Sequence, residues 1–286
     1  MQRMKLSVLI LICMFGVVAC TSPEQENTIE SSNVSQESVT ETKSEISEEV
    51  TDNNDEYIET TEASYTDLQD EDFKKFTIDL STSRETHIEG AAVAPLNLKI
   101  VSEEGNGVDW ANDWYAQMNL SLPMIGEEWN HFEDEMYEYK WVGEYLEIYE
   151  KETGKHLYTL EYPTDKWYIN GNNAYLRDGI FYGASVANGY AQPDTCFMFA
   201  YDLNKEELLW RSASQSYNTM NFVVKEDIII CGYGFTEEKD YLYQININTG
   251  EIIDSLELKK MPDLLVEQDG KLYVHTYSYN YIIEFD

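Results

Sequence analysis

The stretch "YLYQININTGEIIDSLEL", Tyr241–Leu258, reads as strand, tight turn, strand. Apolar and polar residues alternate on either side of Asn-Thr-Gly, as a half-buried sheet requires. Much the same phrase stands earlier as "YLEIYEKETGKHLYTLEY" (145–162) and "FMFAYDLNKEELLWRSAS" (197–214). The three align without gaps. Tyr145, Phe197 and Tyr241 begin them, Tyr149, Tyr201 and Ile245 match, and Thr153-Gly154, Lys205-Glu206 and Thr249-Gly250 meet at the turn. Glycine there supplies the positive φ that hairpin turns ask for.

A second phrase precedes each repeat after the first: "AYLRDGIFYGAS", "FVVKEDIIICGYG" and "LLVEQDGKLYVHTY". Each is strand, acidic turn (Arg177-Asp178-Gly179, Glu226-Asp227, Gln268-Asp269-Gly270), strand. One unit is therefore a meander of four short strands, repeating every 40–50 residues, which is the signature of β-propeller blades. Helix patterning is nearly absent, and Tyr, Ile, Trp and Phe are plentiful. The sequence predicts an all-β fold, a small or incomplete β-propeller of about three to four four-stranded blades. The repeat resembles the PQQ-like (quinoprotein-like) propeller motif "Y-x-L-D-x-x-T-G-x-x-x-W". "FAYDLNKEELLW" (199–210) and "YQININTGEIID" (243–254) carry the resemblance. It implies that a Trp after the turn docks neighbouring blades. Only Trp210 keeps that Trp, so docking elsewhere must use other aromatics.

The last phrase, "YNYIIEFD" (279–286), ends on a third strand. A blade without its outer strand leaves an edge open. The expected remedy is a strand borrowed from the other end, and "KKFTIDLS" (74–81), with Phe76, Ile78 and Leu80 alternating, is the candidate for pairing with 279–285. The rival is a truncated relative of a longer propeller. Residues 84–136 break the pattern and read as an irregular first blade or an insertion; Trp110, Trp114 and Trp129 lie there.

Residues 1–19 read as a secretory leader. Arg3 and Lys5 precede an apolar run, Leu6–Val18, that is too short to span a bilayer comfortably. The run closes on "VVAC", which resembles the lipobox of bacterial lipoproteins. That resemblance implies cleavage before Cys20, a diacylglyceryl and palmitate-type anchor on Cys20, and attachment to a membrane rather than passage through it. Residues 20–72 follow as a disordered acidic Ser/Thr/Glu tether, since so few apolar residues cannot offset the entropy of ordering. As a random coil it reaches roughly 40 Å. The expected address is the extracellular side of a cell membrane, in a Gram-positive bacterium.

The chain carries −35. Arg3 and Lys5 contribute +2 and the tether −16, which leaves −21 for the domain, residues 73–286. Such a domain repels phosphate backbones, so nucleic acid is excluded as a partner. Cys196 and Cys231 are either a disulfide or two buried thiols. No metal-ligand spacing links His87, His131, His156 and His275. "HFEDE" (131–135) sets a His beside three acids, and the Gly-rich "EEGNGVDWAND" (103–113) offers oxygens of the kind calcium uses. The plain alternative for both is a solvated acidic loop. No nucleophile elbow, P-loop or dinucleotide fingerprint appears, and no cofactor is implied.

The connections "GASVANGYAQPDT" (183–195) and "SQSYNTMN" (214–221) sit where propellers place binding loops. Trp110, Trp114, Tyr190 and Tyr217 are therefore the candidate binding residues, with packing between blades as the alternative. The functional expectation is a membrane-anchored extracytoplasmic lipoprotein whose propeller binds or scaffolds a protein or carbohydrate, without catalysis. The other class is a quinoprotein-like or carbohydrate-active propeller enzyme.

Overall fold

The computed structural model describes residues 73–107, 111–122, 130–163, 173–186, 194–235 and 239–285; the leader and tether lie outside them. In chain order the elements begin with β1 (Lys74–Thr77), β2 (Leu98–Gly105) and a short helix α1 (Ala111–Gln117). The first sheet is β3 (His131–Glu133), β4 (Tyr137–Val142), β5 (Tyr145–Glu150) and β6 (His156–Glu161). The second is β7 (Ala174–Arg177), β8 (Ile180–Ser185), β9 (Phe197–Asp202) and β10 (Glu207–Arg211). The third is β11 (Val223–Lys225), β12 (Ile228–Tyr233), β13 (Asp240–Asn246) and β14 (Ile252–Leu258). The fourth holds β15 (Pro262–Gln268), β16 (Lys271–Thr276) and β17 (Tyr279–Phe285). Each sheet is an antiparallel meander, and the four are the blades of a β-propeller. The first blade carries the same inner hairpin as the rest, β3 and β4 around Asp134–Met136, which the sequence comparison had credited only to the later repeats.

The three aligned turns share one geometry. The amides of Gly154, Glu206 and Gly250 donate to the carbonyls of Glu150, Asp202 and Asn246 at 2.8 Å each. All three residues take a left-handed φ, 69°, 60° and 80°. Glu206 alone meets that demand with a side chain.

Strand alternation divides side chains between neighbouring blades. On β12, Ile228 and Ile230 face Leu265, Leu272 and Val274 of the fourth blade. Ile229 and Cys231 face Met198, Ala200 and Trp210 of the second. Trp141, Leu146 and Ile148 of the first blade meet Leu176, Phe181 and Phe199 of the second. Trp210 docks the second blade on the third: it is 1 % exposed and donates Nε1–H to the Ile247 carbonyl at 3.0 Å. Its ring lies so close that a Cβ on Gly250 would stand 2.6 Å from it. Cys196 and Cys231 are free, buried thiols.

Closure differs from expectation. The fourth strand of the last blade is β2, not 74–81: β2 pairs antiparallel with β17, from Leu98 opposite Phe285 to Gly105 opposite Tyr279. Residues 74–77 instead add a fifth, parallel strand outside β6, Lys74 opposite Tyr158 and Thr77 opposite Glu161. Phe76, Ile78 and Leu80 are buried there in the core of the first two blades. Their alternation announced a buried edge strand but not which edge. The 84–136 segment is neither one blade nor one insertion. It holds the outer strand of the last blade, a stretch around α1, and the inner strand of the first.

Between β1 and β2 the chain passes each intervening blade. Thr86 exchanges backbone hydrogen bonds of 3.0 Å with Arg211 at the end of β10. Arg211 is 1 % exposed, donates Nη1–H to the Ser83 carbonyl at 2.6 Å and stacks on Phe197. At the third blade the Ile88 amide donates to Thr249, and Asn246 Nδ2 donates to the Ala91 carbonyl at 2.9 Å. Gln244 pairs with the backbone of Leu96 both ways, at 2.8 and 2.9 Å. Residues 74–105 thus form a belt that touches all four blades.

Two stability changes are expected. Glu206→Gly removes left-handed strain of about 1 kcal/mol and should raise the melting temperature by about 2–4 °C. Trp210→Ala empties an interblade pocket and should cost about 3–5 kcal/mol in denaturant titration.

Candidate functional site

In each blade the inner strand runs to the same end of the ring and turns there. The inner strands β7, β11 and β15 and the β3–β4 turn surround a central cavity of about 380 Å³. Its walls combine apolar Ala174, Phe222, Val223, Val224, Leu265 and Val266 with polar Ser121, Tyr175 and Asn221. Its rim is acidic. Asp134 and Glu135 at the β3–β4 turn and Glu267 at the end of β15 line it, and Asp178, Glu226, Asp227 and Asp269 occupy the inner turns of the other three blades.

The turns carry acids because left-handed backbone is needed there and Asp tolerates it. Asp178, Glu226 and Asp269 have φ of 55°, 55° and 52°. Asp134 is consumed by its own turn: Oδ1 accepts from the Met136 and Tyr137 amides at 2.8 Å, and Oδ2 from the Tyr139 hydroxyl at 2.6 Å. That hydroxyl also accepts the Leu176 amide at 2.9 Å, which joins the first blade to the second. Burial pushes the Tyr139 hydroxyl well above its usual range, and the nearby Asp134 charge adds to the push. Glu135 is exposed.

Two cations stitch the rim from blade to blade. Arg177 Nη2 meets Asp227 at 3.0 Å while Nη1 donates to the Glu226 carbonyl. Lys225 meets Glu267 at 3.0 Å and lies over the Phe285 ring. These half-exposed pairs fix the turns more than they add stability. The resulting site is an apolar hole with an anionic mouth. It suits a group with an apolar stem and a cationic head. The sequence displayed these acidic turns but not their convergence, which needs the first blade's Asp134–Glu135 to be recognised as the fourth of the set.

A second hollow of about 490 Å³ lies on the opposite, loop-bearing end, lined by Phe235, Asp240, Lys259, Lys260, Met261 and Tyr277. Tyr277 is 67 % exposed there.

The residues singled out from the sequence are spread apart. Trp110 and Tyr190 lie outside the described residues. Trp114 sits on α1 against Tyr115, Tyr273 and His275. Tyr217 is fully buried, 0 % exposed, and its hydroxyl donates to Asn173. It packs at the core between the second and third blades rather than in a binding loop.

The histidines are separate from one another. His131 faces Glu138 at 2.6 Å rather than the three acids that follow it. His275, 4 % exposed, is held by Asp263 at 2.7 Å and by Asn106 at 3.3 Å. His156 stacks between Phe73 and Tyr149. In the Gly-rich 103–113 stretch, Glu103 and Glu104 belong to β2, Glu103 pairs with Lys259, and Asn106 is tied to His275. Among the described residues no three potential metal-ligating side chains cluster.

No protein-family model matches the chain, and no curated protein matches it. Among solved structures it is similar to BamB from Moraxella catarrhalis, with 14 % identity, a TM-score of 0.37, and coverage of 54 % of this chain and 42 % of that one. Hsv2 from Kluyveromyces lactis gives 12 %, 0.33, 50 % and 39 %. The dihydro-heme d1 dehydrogenase NirN gives 13 %, 0.34, 55 % and 38 %. The chain therefore spans about two fifths of the length of these structures. At such values the likeness carries no weight for function, and the fold rests on the four sheets themselves.

Tyr139→Phe tests the join at the rim. It leaves the buried Leu176 amide without its acceptor, and a loss of about 1–3 kcal/mol is expected in denaturant titration. A loss under a few tenths would show that the bridge contributes nothing.

Proposed function

We propose that the protein is a lipid-anchored extracytoplasmic binding module that receives a cationic segment of a partner protein at the acid-rimmed mouth of its central channel. The cavity carries this reading. Apolar wall residues accept an aliphatic stem, and the carboxylates of Glu135 and Glu267 on the lining attract the charge at its head. Such complementarity acts mainly on encounter rate and specificity, and it weakens with salt.

The anchor reading is supported by the basic start, the short apolar run and "VVAC" ending at Cys20. The acidic segment to residue 72 would then hold the propeller away from the membrane surface. A non-catalytic role is supported by the sequence, in which no nucleophile elbow, P-loop or dinucleotide fingerprint appears. The domain's charge of −21 disfavours nucleic acid and anionic lipid as occupants of the mouth.

Metabolic labelling with an alkynyl fatty acid tests the anchor. The wild type should be labelled and membrane-bound, and Cys20→Ala should be unlabelled. Crosslinking on intact cells, read by mass spectrometry, tests the mouth. Glu135→Lys should reduce partner capture at least tenfold while leaving the melting temperature unchanged, and raised salt should weaken capture of the wild type. Equal capture by wild type and variant would remove the channel mouth from the reading. A melting rise of several degrees on adding pyrroloquinoline quinone or calcium would overturn the non-catalytic role, because a ligand at 100-fold its dissociation constant stabilises by about 2.7 kcal/mol.

A further inference from the structure

We propose that residues 74–97 are a strap that peels from the propeller in steps when its amino-terminal end is pulled, and that β2 stops the peeling because the same pull loads it in shear. The belt meets the blades in chain order. First comes the four-residue β1 on β6, extended by the Ile78 amide donating to Glu161 at 2.7 Å. The Thr86–Arg211 bridge on the second blade follows. Ile88, Ala91 and Leu96 on the third blade come last. A pull at Lys74 reaches these contacts one group at a time, so each group gives way before the next is strained.

At β2 the geometry changes. Leu98 lies opposite Phe285 and Gly105 opposite Tyr279. A pull entering at Leu98, resisted at the Tyr277 end of β17, runs along the strand axis and loads the whole ladder together. Ile100 and Leu98 also pack into the core between the third and fourth blades. The ladder therefore keeps the last blade closed while the strap is off. Peeling lifts Phe76, Ile78 and Leu80 from the core of the first two blades and bares the β6 edge, where an extended segment of another chain can add a strand. The strap is thus a force-sensitive cover over that edge.

The physiological source of the force rests on the lipid-anchor reading, but the mechanical property does not, so either can fail alone. The test is single-molecule pulling on the unlipidated chain that begins at Cys20. One handle is attached to Cys20 and the other to Tyr277→Cys, an exposed position; Cys196 and Cys231 are buried and stay unlabelled. The expected trace shows a run of low-force, reversible steps that together release 24 residues, roughly 80 Å of chain, before a higher-force rupture of the rest. Arg211→Ala should lower the force of the step at the second blade and leave the final rupture unchanged. If that variant does not fold, Asn246→Ala serves the same purpose at the third blade. A single rupture of the whole domain overturns the proposal, and so does a low-force release whose total length differs clearly from that of residues 74–97.

Discussion

The ladder between β2 and β17 is the constraint on which the ring depends. It joins Leu98–Gly105 to Tyr279–Phe285, nearly two hundred residues further along the chain. Closing so long a loop costs entropy that grows only slowly with length, but none of it is returned until the last strand exists. The first part of the domain to be made is therefore among the last to find its place. Reaching that place obliges the chain to travel around the outside of the ring, and the belt is the consequence.

A segment running past sheet edges cannot satisfy its backbone by regular pairing, and buried backbone groups must be satisfied somehow. Side-chain amides solve the problem here. Gln244 treats Leu96 as a neighbouring strand would, donating to its carbonyl and accepting its amide. Asn221 does the same for Leu265 across the junction of the third and fourth blades, at 2.7 and 2.9 Å. Asn218 does so for Gly234. Each amide offers one donor and one acceptor in a peptide-like plane, so it can stand in for a strand residue where no strand fits. These substitutes need close approach. Gly232 leaves room for Pro262, whose ring would meet a Cβ at 2.2 Å.

The blades were legible because their information is local. Alternation along Tyr241–Leu258 and the left-handed turn at Gly250 specify a hairpin without reference to anything distant, and three copies specify a repeat. The closing strand was not legible for the opposite reason. "LNLKIVS" and "KKFTIDLS" both alternate, and nothing within either says which edge it will cover. The choice is made by partners far along the chain: β17 offers an antiparallel ladder to Leu98–Gly105, and the first two blades offer an apolar crevice to Phe76, Ile78 and Leu80. The candidate site was half legible. Asp178, Glu226 and Asp269 were visible as turn residues, but a rim is a property of the ring. Tyr217 shows the converse: a Tyr in a polar connection looks available until the connection is seen to fold inward, with its hydroxyl given to Asn173.

Charge and closure interact in a way that accounts for where the bases sit. A domain of −21 pushes its own surface apart, and the inner turns bring carboxylates of neighbouring blades towards one axis, where that push is concentrated. The scarce cations are placed across the joints rather than scattered: Arg177 from the second blade to the third, Lys225 from the third to the fourth, and Lys259 from the end of the third blade to Glu103 on the closing strand. Arg211 sits at the joint between blade and belt. Its burial disfavours the charged form, against the modest pull of Asp194 3.9 Å away, while the Ser83 carbonyl and the Ser214 hydroxyl accept hydrogen bonds from its two terminal nitrogens. Each pair is worth little as an isolated surface contact. Placed where like charges converge, it offsets repulsion as well as adding attraction. The first blade's inner turn carries a cation of its own: Lys151 Nζ meets Glu133 and donates to the Asp134 carbonyl, each at 2.9 Å. A cation therefore stands at each of the four inner turns, at the first within its own blade and at the others across a joint.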